Sequence, residues 1–265
     1  MAHTPFIGIS LKAYFGKEET LEWCQKISSV LSAHPASIAG RVDVAVFPSH
    51  PFIESVAEIF SGQNVVVGAQ DVSAHSQGPV TGEVTANQLA DLGVGYVEVG
   101  HAERRQHFGE DDRVVQAKLT AGLEAGIPPV LCVGESEDRG AEYAASVCIE
   151  QINSACAAVA SLPALARAII AYEPVWAIGE AESASPEHIL AVHALIRQHL
   201  DTVLGLPEVR VIYGGSAGPG LFAEISGGPS GLFLGRFAHN ADNFQKVLDE
   251  VVEHTPGVSA RTLTK

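Results

Sequence analysis

The chain has 265 residues, of which 46% are hydrophobic, and its formal net charge at pH 7 is -15. This acidic balance opposes binding to nucleic acid or to an anionic membrane surface, and no apolar run approaches the length of a membrane span. The start, MAHTPFIGIS, lacks the basic stretch and long apolar core of a secretory signal. We therefore expect a globular protein of the cytoplasm that has neither a nucleic-acid nor a membrane partner.

Short β-rich runs recur along the chain and are separated by segments with helical patterns. The predicted strands cover residues 6–10, 42–47, 65–70, 96–99, 129–133, 168–172, 209–213 and 231–234. Thr85 and Gln88 have the spacing of a capping box, which predicts a helix after the third strand. Asp111 predicts the start of another helix, and Ser185 followed by Pro186 predicts the start of a third.

Eight strands, each followed by a helix, indicate an α/β fold. The strands are mainly apolar instead of alternating regularly, which is typical of a parallel sheet with helices on its outer face. We predict a closed (β/α)₈ barrel in one domain over residues 1–255, with 256–265 as a tail outside it. A doubly wound open sheet is the alternative, but no GxGxxG follows the first strand.

Neither the cysteines nor the histidines have the spacing of a metal site. The cysteines form no CxxC pair and fall in predicted helices or a strand, which indicates reduced, buried thiols: Cys24, Cys132, Cys148 and Cys156. His188, His193 and His199 are five and six residues apart on a predicted helix, so they do not share one face, and no HExxH is present. We expect neither a metal ion nor a cofactor.

In a barrel of this kind the active site lies where the strands end and the following loops begin. The polar residues at these positions are Ser10, Lys12, Gln70, Asp71, His101, Glu103, Glu135, Glu173, Ser216 and Arg236. Glu173 is the most informative of them, because an unpaired carboxylate at the mouth of a buried strand is costly. Either a cation such as an arginine pairs with Glu173 in a structural role, or its raised basicity is used in catalysis.

Taken singly, these residues have structural explanations. Lys12 could be a solvated lysine, Glu103 could form an ion-pair network with neighbouring arginines, and the glycines of IYGGSAGPG could form a simple turn. Together, a carboxylate, an imidazole and an ammonium on one rim are suited to removing a proton next to a carbonyl group. Glycines at the ends of the last three strands would let backbone N–H groups hold a phosphate.

The motifs GAQDVS, TGEV, LGVGYVEVGHAERRQHFGEDD, VLCVGE, AYEPVWAIG and IYGGS, in this order, resemble triosephosphate isomerase. The resemblance runs from residue 8 to about residue 252. It implies that Glu173 is the base, His101 the electrophile and Lys12 the cation beside the substrate oxygen. It also implies that Glu103 orients this site and that segment 174–182, called the lid segment below, covers it. The phosphate would be held by Gly179, Gly214, Gly215, Ser216 and Gly235.

The chain departs from the family pattern at the proposed site. Ser10-Leu11 stands where the family has Asn followed usually by Trp, and Ala102 stands where the family has Ser. Glu180-Ala181-Glu182 replaces the usual Thr-Gly-Lys of the lid tip, and Arg236 replaces the second glycine after the last strand. Ser10 and Leu11 would free space beside the substrate carbonyl, and Arg236 would add a bidentate phosphate donor.

These departures favour a substrate that is one carbon longer than a triose phosphate. We predict an aldose–ketose isomerase acting on a tetrulose phosphate such as erythrulose phosphate. An ordinary triosephosphate isomerase is the first alternative, and a paralogue that binds sugar phosphates without turnover is the second.

The resemblance also implies an oligomer. The stretch QGPVTGEV resembles the family loop whose threonine, here Thr81, reaches the active site of a partner subunit. We therefore expect a symmetric homodimer.

Overall fold

The computed structural model describes residues 3–180 and 182–255. The strands β1 to β8 are Phe6–Ser10, Asp43–Phe47, Val65–Ala69, Tyr96–Val99, Pro129–Val133, Ile169–Tyr172, Arg210–Tyr213 and Gly231–Leu234. The helices α1 to α10 are Lys17–Ala33, Pro35–Ile38, Ile53–Ile59, Ala86–Asp91, Ala102–Phe108, Asp112–Glu124, Ala141–Cys156, Pro186–Thr202, Leu221–Ile225 and Ala241–Glu253. Short 3₁₀ turns occupy His50–Phe52, Leu162–Arg167, Val175–Ala177 and Arg236–His239.

The eight strands form a closed parallel barrel in chain order, because β1 pairs with both β2 and β8. The predicted (β/α)₈ barrel is therefore confirmed. The strand bounds differ from the prediction by at most one residue: β2, β6 and β7 begin one residue later, and β3 ends one residue earlier. The predicted tail, 256–265, lies outside the described residues.

The sequence signals for helix starts correspond to hydrogen bonds in the structure. The backbone N–H of Thr85 donates to the Gln88 side chain at 2.9 Å, as in the predicted capping box. The Asp111 side chain accepts from the backbone N–H of Val114 at 2.9 Å at the start of α6. Ser185 caps α8 in the same way. Each cap satisfies a backbone donor that the first turn of a helix leaves without a partner.

Side chains alternate along each strand between the barrel interior and the surrounding helices. The interior contains a small apolar cluster: Phe6, Ala45, Phe47, Val130, Cys132, Ile169, Ala171, Ile212 and Phe233. The larger cluster lies between the strands and the helices. This alternation decides which residues near the strand ends face the barrel interior and which face the helices.

All four cysteines are buried and unpaired, as predicted. Within the described ranges, no group of three or more His, Cys, Asp or Glu side chains is placed to hold a metal ion. Among the helices of those same ranges, none is long and apolar enough to cross a membrane.

Candidate active site

A cavity of about 670 Å³ opens at the carboxyl ends of the strands. Apart from Leu11, every residue that the sequence singles out for chemistry or substrate binding lines it: Ser10, Lys12, His101, Glu103, Glu173, Gly179, Gly214, Gly215, Ser216, Gly235 and Arg236. Gln70, Asp71 and Glu135, which also follow strand ends, do not line it. The barrel thus brings together side chains that come from five different strands.

Glu173 follows β6 directly, and its backbone N–H donates to the carbonyl of Val133 at 2.8 Å. The residue is only 2% exposed, and its Oε2 atom has no hydrogen-bond partner among the residues that the structure describes. Burial raises the pKa of Glu173 to about 8, although the nearby charge of Lys12 acts in the opposite direction. A Cβ atom at Gly214 would lie 2.7 Å from Cγ of Glu173, so glycine at this position makes room for the carboxylate.

No arginine of the described chain lies within ion-pair distance of Glu173; its one such contact is His101, whose Nε2 is 3.7 Å from Oε2. The structural explanation of Glu173 as an arginine partner is therefore wrong. Glu103 also does not pair with its neighbouring arginines. Arg104 pairs with Asp71 and Glu110 instead, and Arg105 pairs with Asp112.

His101 lies at the start of α5, where its Nδ1 atom accepts a hydrogen bond from the backbone N–H of Glu103 at 3.1 Å. Because Nδ1 is used as an acceptor, the proton of the neutral imidazole is assigned to Nε2, which faces Glu173. Burial, together with the charge of Lys12, lowers the pKa of His101 to about 4. The imidazole is therefore neutral near pH 7 and presents an N–H donor to the cavity.

Lys12 has a left-handed backbone, with φ 48°, and no other described residue apart from glycines has a positive φ. Its carbonyl accepts hydrogen bonds from the side chains of Ser49 and Gln70, both at 3.0 Å. These bonds fix a conformation that an L-residue adopts at some cost. Gln70, outside the cavity, thus positions a residue that lines it.

The Lys12 ammonium contacts Oε1 of Glu103 at 2.5 Å. Burial alone would lower the pKa of Lys12, but the hydrogen bond to Glu103 and the neighbouring carboxylates raise it above its ordinary value. The pKa of Glu103, which burial alone would raise, is lowered by the same contact. The site therefore contains a fixed positive charge beside a neutral imidazole.

Two side chains that follow β7 and β8 contact the lid segment. Ser216 donates to the carbonyls of Ala177 and Glu180, both at 2.9 Å. Arg236 donates from Nη2 to the carbonyl of Gly179 at 2.9 Å. Arg236 is exposed, and this bond uses one of its several N–H groups. The predicted phosphate donor therefore also contacts the lid.

Glu135 anchors the base of the lid segment. Its Oε1 atom accepts from the Trp176 indole at 2.6 Å and from the Tyr172 hydroxyl at 3.1 Å. Glu135 is fully buried and does not reach the cavity. Its place at a strand end is therefore explained by its hydrogen bonds to Trp176 and Tyr172. Ala181, at the predicted lid tip, lies outside the described residues.

The structure corrects the expectation for Leu11. This side chain is 1% exposed, belongs to the cluster between strands and helices, and does not line the cavity. Ser10 faces the interior at the end of β1, so the next residue faces the opposite side. The space predicted beside the substrate carbonyl can therefore come from Ser10 but not from Leu11.

Sequence reasoning missed Glu98, the third residue of β4. Glu98 is 3% exposed, and its Oε2 lies in hydrogen-bond contact with the Ser10 hydroxyl at 3.2 Å. Its Oε1 lies 3.9 Å from Nε2 of His101. Glu98 could have been found from the sequence, because it is the one acidic residue in the predicted strand 96–99. Every second side chain of a strand faces the same side, and this places Glu98 inside the barrel.

A family model described as triosephosphate isomerase matches residues 5–251 of the chain. An L-erythrulose-1-phosphate isomerase of Pectobacterium atrosepticum is 42% identical over 244 residues, which cover 92% of this chain and 94% of that protein. A triosephosphate isomerase of Thiobacillus denitrificans is 40% identical over 222 residues, which cover 82% of this chain and 89% of that protein. One of Thermus thermophilus is 42% identical over 192 residues, covering 71% and 76%. The chain belongs to the triosephosphate isomerase family.

Proposed function

We propose that the protein isomerises a short sugar phosphate through an enediolate, and that its substrate is a tetrulose phosphate of the erythrulose 1-phosphate type. The observation that carries the isomerase function is the buried carboxylate of Glu173, whose one ion-pair contact with the described part of the chain is a neutral imidazole across a cavity. A protein that only binds sugar phosphates would have no use for this costly arrangement.

In this mechanism Glu173 removes the proton from the carbon next to the substrate carbonyl. The negative charge that develops on oxygen is stabilised by the Nε2–H of His101 and by the ammonium of Lys12. The hydroxyl proton of the substrate then passes to the former carbonyl oxygen, and Glu173 returns its proton to the neighbouring carbon. These two transfers complete the migration of the carbonyl. Glu103 holds Lys12 by the 2.5 Å contact and positions His101 through its backbone N–H.

The phosphate would lie between the glycine-rich ends of β7 and β8. A Cβ atom at Gly235 would meet no heavy atom within 4 Å, so the backbone there is open to a ligand. Arg236 and Lys12 supply positive charge against a chain whose net charge is -15. Local cations of this kind are what an acidic protein needs to retain an anionic substrate.

The case for a tetrulose phosphate rests on Ser10 and on the Pectobacterium relative. Erythrulose 1-phosphate is a ketotriose phosphate in which a hydroxymethyl group replaces one hydrogen on the reacting carbon. The short side chain of Ser10, at the cavity floor, leaves room beside Lys12 and His101 that a longer amide would fill. Because the ester blocks the first carbon, the carbonyl of this substrate can move only from the second carbon to the third. On a triose phosphate the same steps interconvert ketose and aldose.

An ordinary triosephosphate isomerase remains the second candidate, since relatives of that name are 40% and 42% identical to this chain. A solvent-exchange experiment separates the two. The protein is incubated in D₂O with dihydroxyacetone phosphate or with erythrulose 1-phosphate, and deuterium uptake and product formation are followed by NMR. We expect faster exchange and turnover with the tetrulose phosphate, and neither with Glu173→Gln.

A rate with dihydroxyacetone phosphate near the diffusional ceiling, with no exchange into the tetrulose phosphate, would establish the second candidate. Binding of both compounds without exchange or turnover would reject isomerase function altogether.

We also propose that the chain forms a homodimer in the cytoplasm. Thr81 is exposed in the loop between β3 and α4 and does not line the cavity of its own subunit. This position is compatible with insertion into a second copy. Four unpaired, buried cysteines fit a reducing compartment.

A further inference from the structure

Ser10 and Glu98 form a buried pair at the floor of the cavity. Ser10 ends β1 and Glu98 lies on β4, yet their side-chain oxygens are 3.2 Å apart inside the barrel. Ser10 is 4% exposed and lines the cavity, whereas Glu98 is 3% exposed and lies behind it. The hydroxyl therefore separates the buried carboxyl group from the substrate space.

The charges around this pair do not balance if every carboxyl group is ionised. Glu98, Glu103 and Glu173 surround a single ammonium, that of Lys12, and Glu103 contacts it at 2.5 Å. Within the described residues, the group at ion-pair distance from Glu98 is His101, which is neutral, with Nε2 at 3.9 Å. A buried carboxyl group without a cation retains its proton.

Other groups near Glu98 agree with this assignment. Burial raises the pKa of Glu98 well above its ordinary value, and the charge of Glu173 acts in the same direction. The charge of Lys12 lowers this pKa, as would a hydrogen bond that an ionised Glu98 accepted from Ser10, and the charge of Glu103 raises it. The nearby Cys132 thiol, whose own pKa is raised by burial, is neutral and adds no positive charge.

We propose that Glu98 is a neutral carboxylic acid that donates a hydrogen bond to Ser10, so that the Ser10 hydroxyl donates its own hydrogen to a substrate oxygen. A serine hydroxyl has one hydrogen, and its direction depends on the neighbouring group. An ionised Glu98 would accept that hydrogen and turn it away from the cavity. A protonated Glu98 supplies its own hydrogen and leaves that of Ser10 available. Glu98 is thus a positioning residue that acts through Ser10.

This pair supplies a donor where the family pattern has an amide side chain. Ser10 and His101 both lie next to the Glu98 carboxyl group. Its Oε2 atom is 3.2 Å from the Ser10 hydroxyl, and its Oε1 atom is 3.9 Å from Nε2 of His101. The hydroxyl hydrogen would therefore add a third donor beside the imidazole and the ammonium. The proposal rests on the isomerase function proposed above, but the protonation of Glu98 can be measured without turnover.

Infrared difference spectroscopy on the full chain provides that measurement. At pH 9, Glu173, with a pKa of about 8, is mostly ionised and contributes little to the band of protonated carboxylic acids. Glu98, whose pKa is raised well above its ordinary value by burial, is the carboxyl group that we expect to keep its proton. We expect a band of a protonated carboxylic acid in the wild type and in Glu173→Gln, and its loss in Glu98→Gln. Absence of the band from the wild type would overturn the proposal whether or not the protein is an isomerase.

Kinetics test the role of the proton, on whichever sugar phosphate the wild type isomerises. Glutamine is neutral and donates to Ser10, so Glu98→Gln should keep kcat/KM within about threefold of the wild type, whereas Glu98→Leu and Ser10→Ala should each lose about tenfold. The double variant, Ser10→Ala with Glu98→Leu, should lose no more than either single one, because both remove the same donor. Wild-type kcat/KM should fall at alkaline pH as Glu98 ionises, and Glu98→Gln should lack this fall.

Glu110→Gln is the matched control, because it removes another buried carboxylate that does not line the cavity. It should keep the alkaline fall in kcat/KM. A loss of about a hundredfold or more in a folded Glu98→Gln would show that the ionised form is required and would overturn the proposal. An alkaline fall that persists in Glu98→Gln would also overturn it.

Discussion

Nε2 of His101 lies 3.7 Å from Oε2 of Glu173, across the floor of the substrate cavity. This separation exceeds a hydrogen bond, so neither group satisfies the other in the free protein. Each is shifted toward its neutral form by burial: the pKa of the carboxyl group is raised to about 8, and that of the imidazole is lowered to about 4. A substrate oxygen and its adjacent C–H group would supply the partners that both atoms lack.

The pH dependence of activity follows from these shifts. Glu173 must be ionised to act as a base, so kcat/KM should rise with pH up to and through about 8. His101 is neutral above about pH 4 and should add no further change in that range. Steady-state rates measured between pH 5 and pH 9 test this. A profile that is flat over the whole range would contradict the raised pKa.

The raised pKa of Glu173 also predicts that stability falls as pH rises, whereas activity increases. The pKa of Glu173 is higher in the folded chain than in the unfolded one, so between these two values the folded state binds more protons. The free energy of unfolding should therefore decrease as pH rises through this window, by up to about 1.4 kcal/mol per pH unit. Urea titrations of the wild type and of Glu173→Gln should diverge accordingly, with the variant lacking this decrease.

Glu173→Asp should lower kcat by orders of magnitude while the fold is retained. The carboxylate would be one methylene short of the reacting carbon, and proton transfer depends steeply on this distance. Kinetics on the best substrate, together with a thermal melt, check both statements. Wild-type turnover by this variant would remove Glu173 from its proposed role.

Ser10→Asn tests the substrate. If Ser10 makes room for a fourth carbon, the asparagine amide should raise KM or lower kcat for the tetrulose phosphate. The ratio of kcat/KM for the triose phosphate to that for the tetrulose phosphate should therefore increase. Leu11→Met is the matched control, because its side chain faces the helices and is replaced by one of similar volume. This control should leave the ratio of the two substrates unchanged. A Ser10→Asn variant with a higher kcat/KM for the tetrulose phosphate than the wild type would show that Ser10 does not make room for the fourth carbon.

Arg236→Gly should reduce affinity by about 1.5–3 kcal/mol if the guanidinium binds the phosphate. The loss should be seen mainly in KM, because the phosphate charge is the same in the ground and transition states. The contact to the Gly179 carbonyl adds a second effect, since its removal would loosen the lid segment and lower kcat. Arg139→Gly, which removes an exposed arginine whose guanidinium lies over the Tyr143 ring, is the control. A KM unchanged in Arg236→Gly would exclude the phosphate contact.

Thr81→Arg tests the dimer. An isologous interface uses the same surface twice, so one substitution places two arginines in it and should impair both subunits. Sedimentation at several protein concentrations, with parallel rate measurements, distinguishes assembly from activity. A wild-type chain that sediments as a fully active monomer would contradict the predicted homodimer.

Much of the barrel and of the cavity could be predicted because local patterns determine them. Apolar runs of strand length, bounded by caps, predicted all eight strands, and the carboxyl ends of those strands contain Glu173, His101 and Lys12. These residues are close in space because parallel strands end on the same rim, whatever the sequence between them.

The remaining features depend on contacts between distant segments. Leu11 was wrongly placed in the cavity because the loop motif was compared with the family as a unit, whereas alternation gives its two residues opposite faces. Glu98 was missed because it lies within a strand and its partner is 88 residues away. The contact of Arg236 with Gly179 joins two loops and has no local signal.

The hydrogen bond between the Glu103 N–H and Nδ1 of His101 ties the first turn of α5 to the state of the imidazole. A proton placed on Nδ1 would face that N–H, so the ring cannot become cationic while this turn is intact without losing the bond. Unwinding of one helical turn would thus make the imidazole of His101 a stronger base than it is in the folded protein. The first turn of α5 therefore opposes protonation of Nδ1 in addition to burial and the charge of Lys12, and hydrogen exchange at the Glu103 amide reports whether this turn is intact.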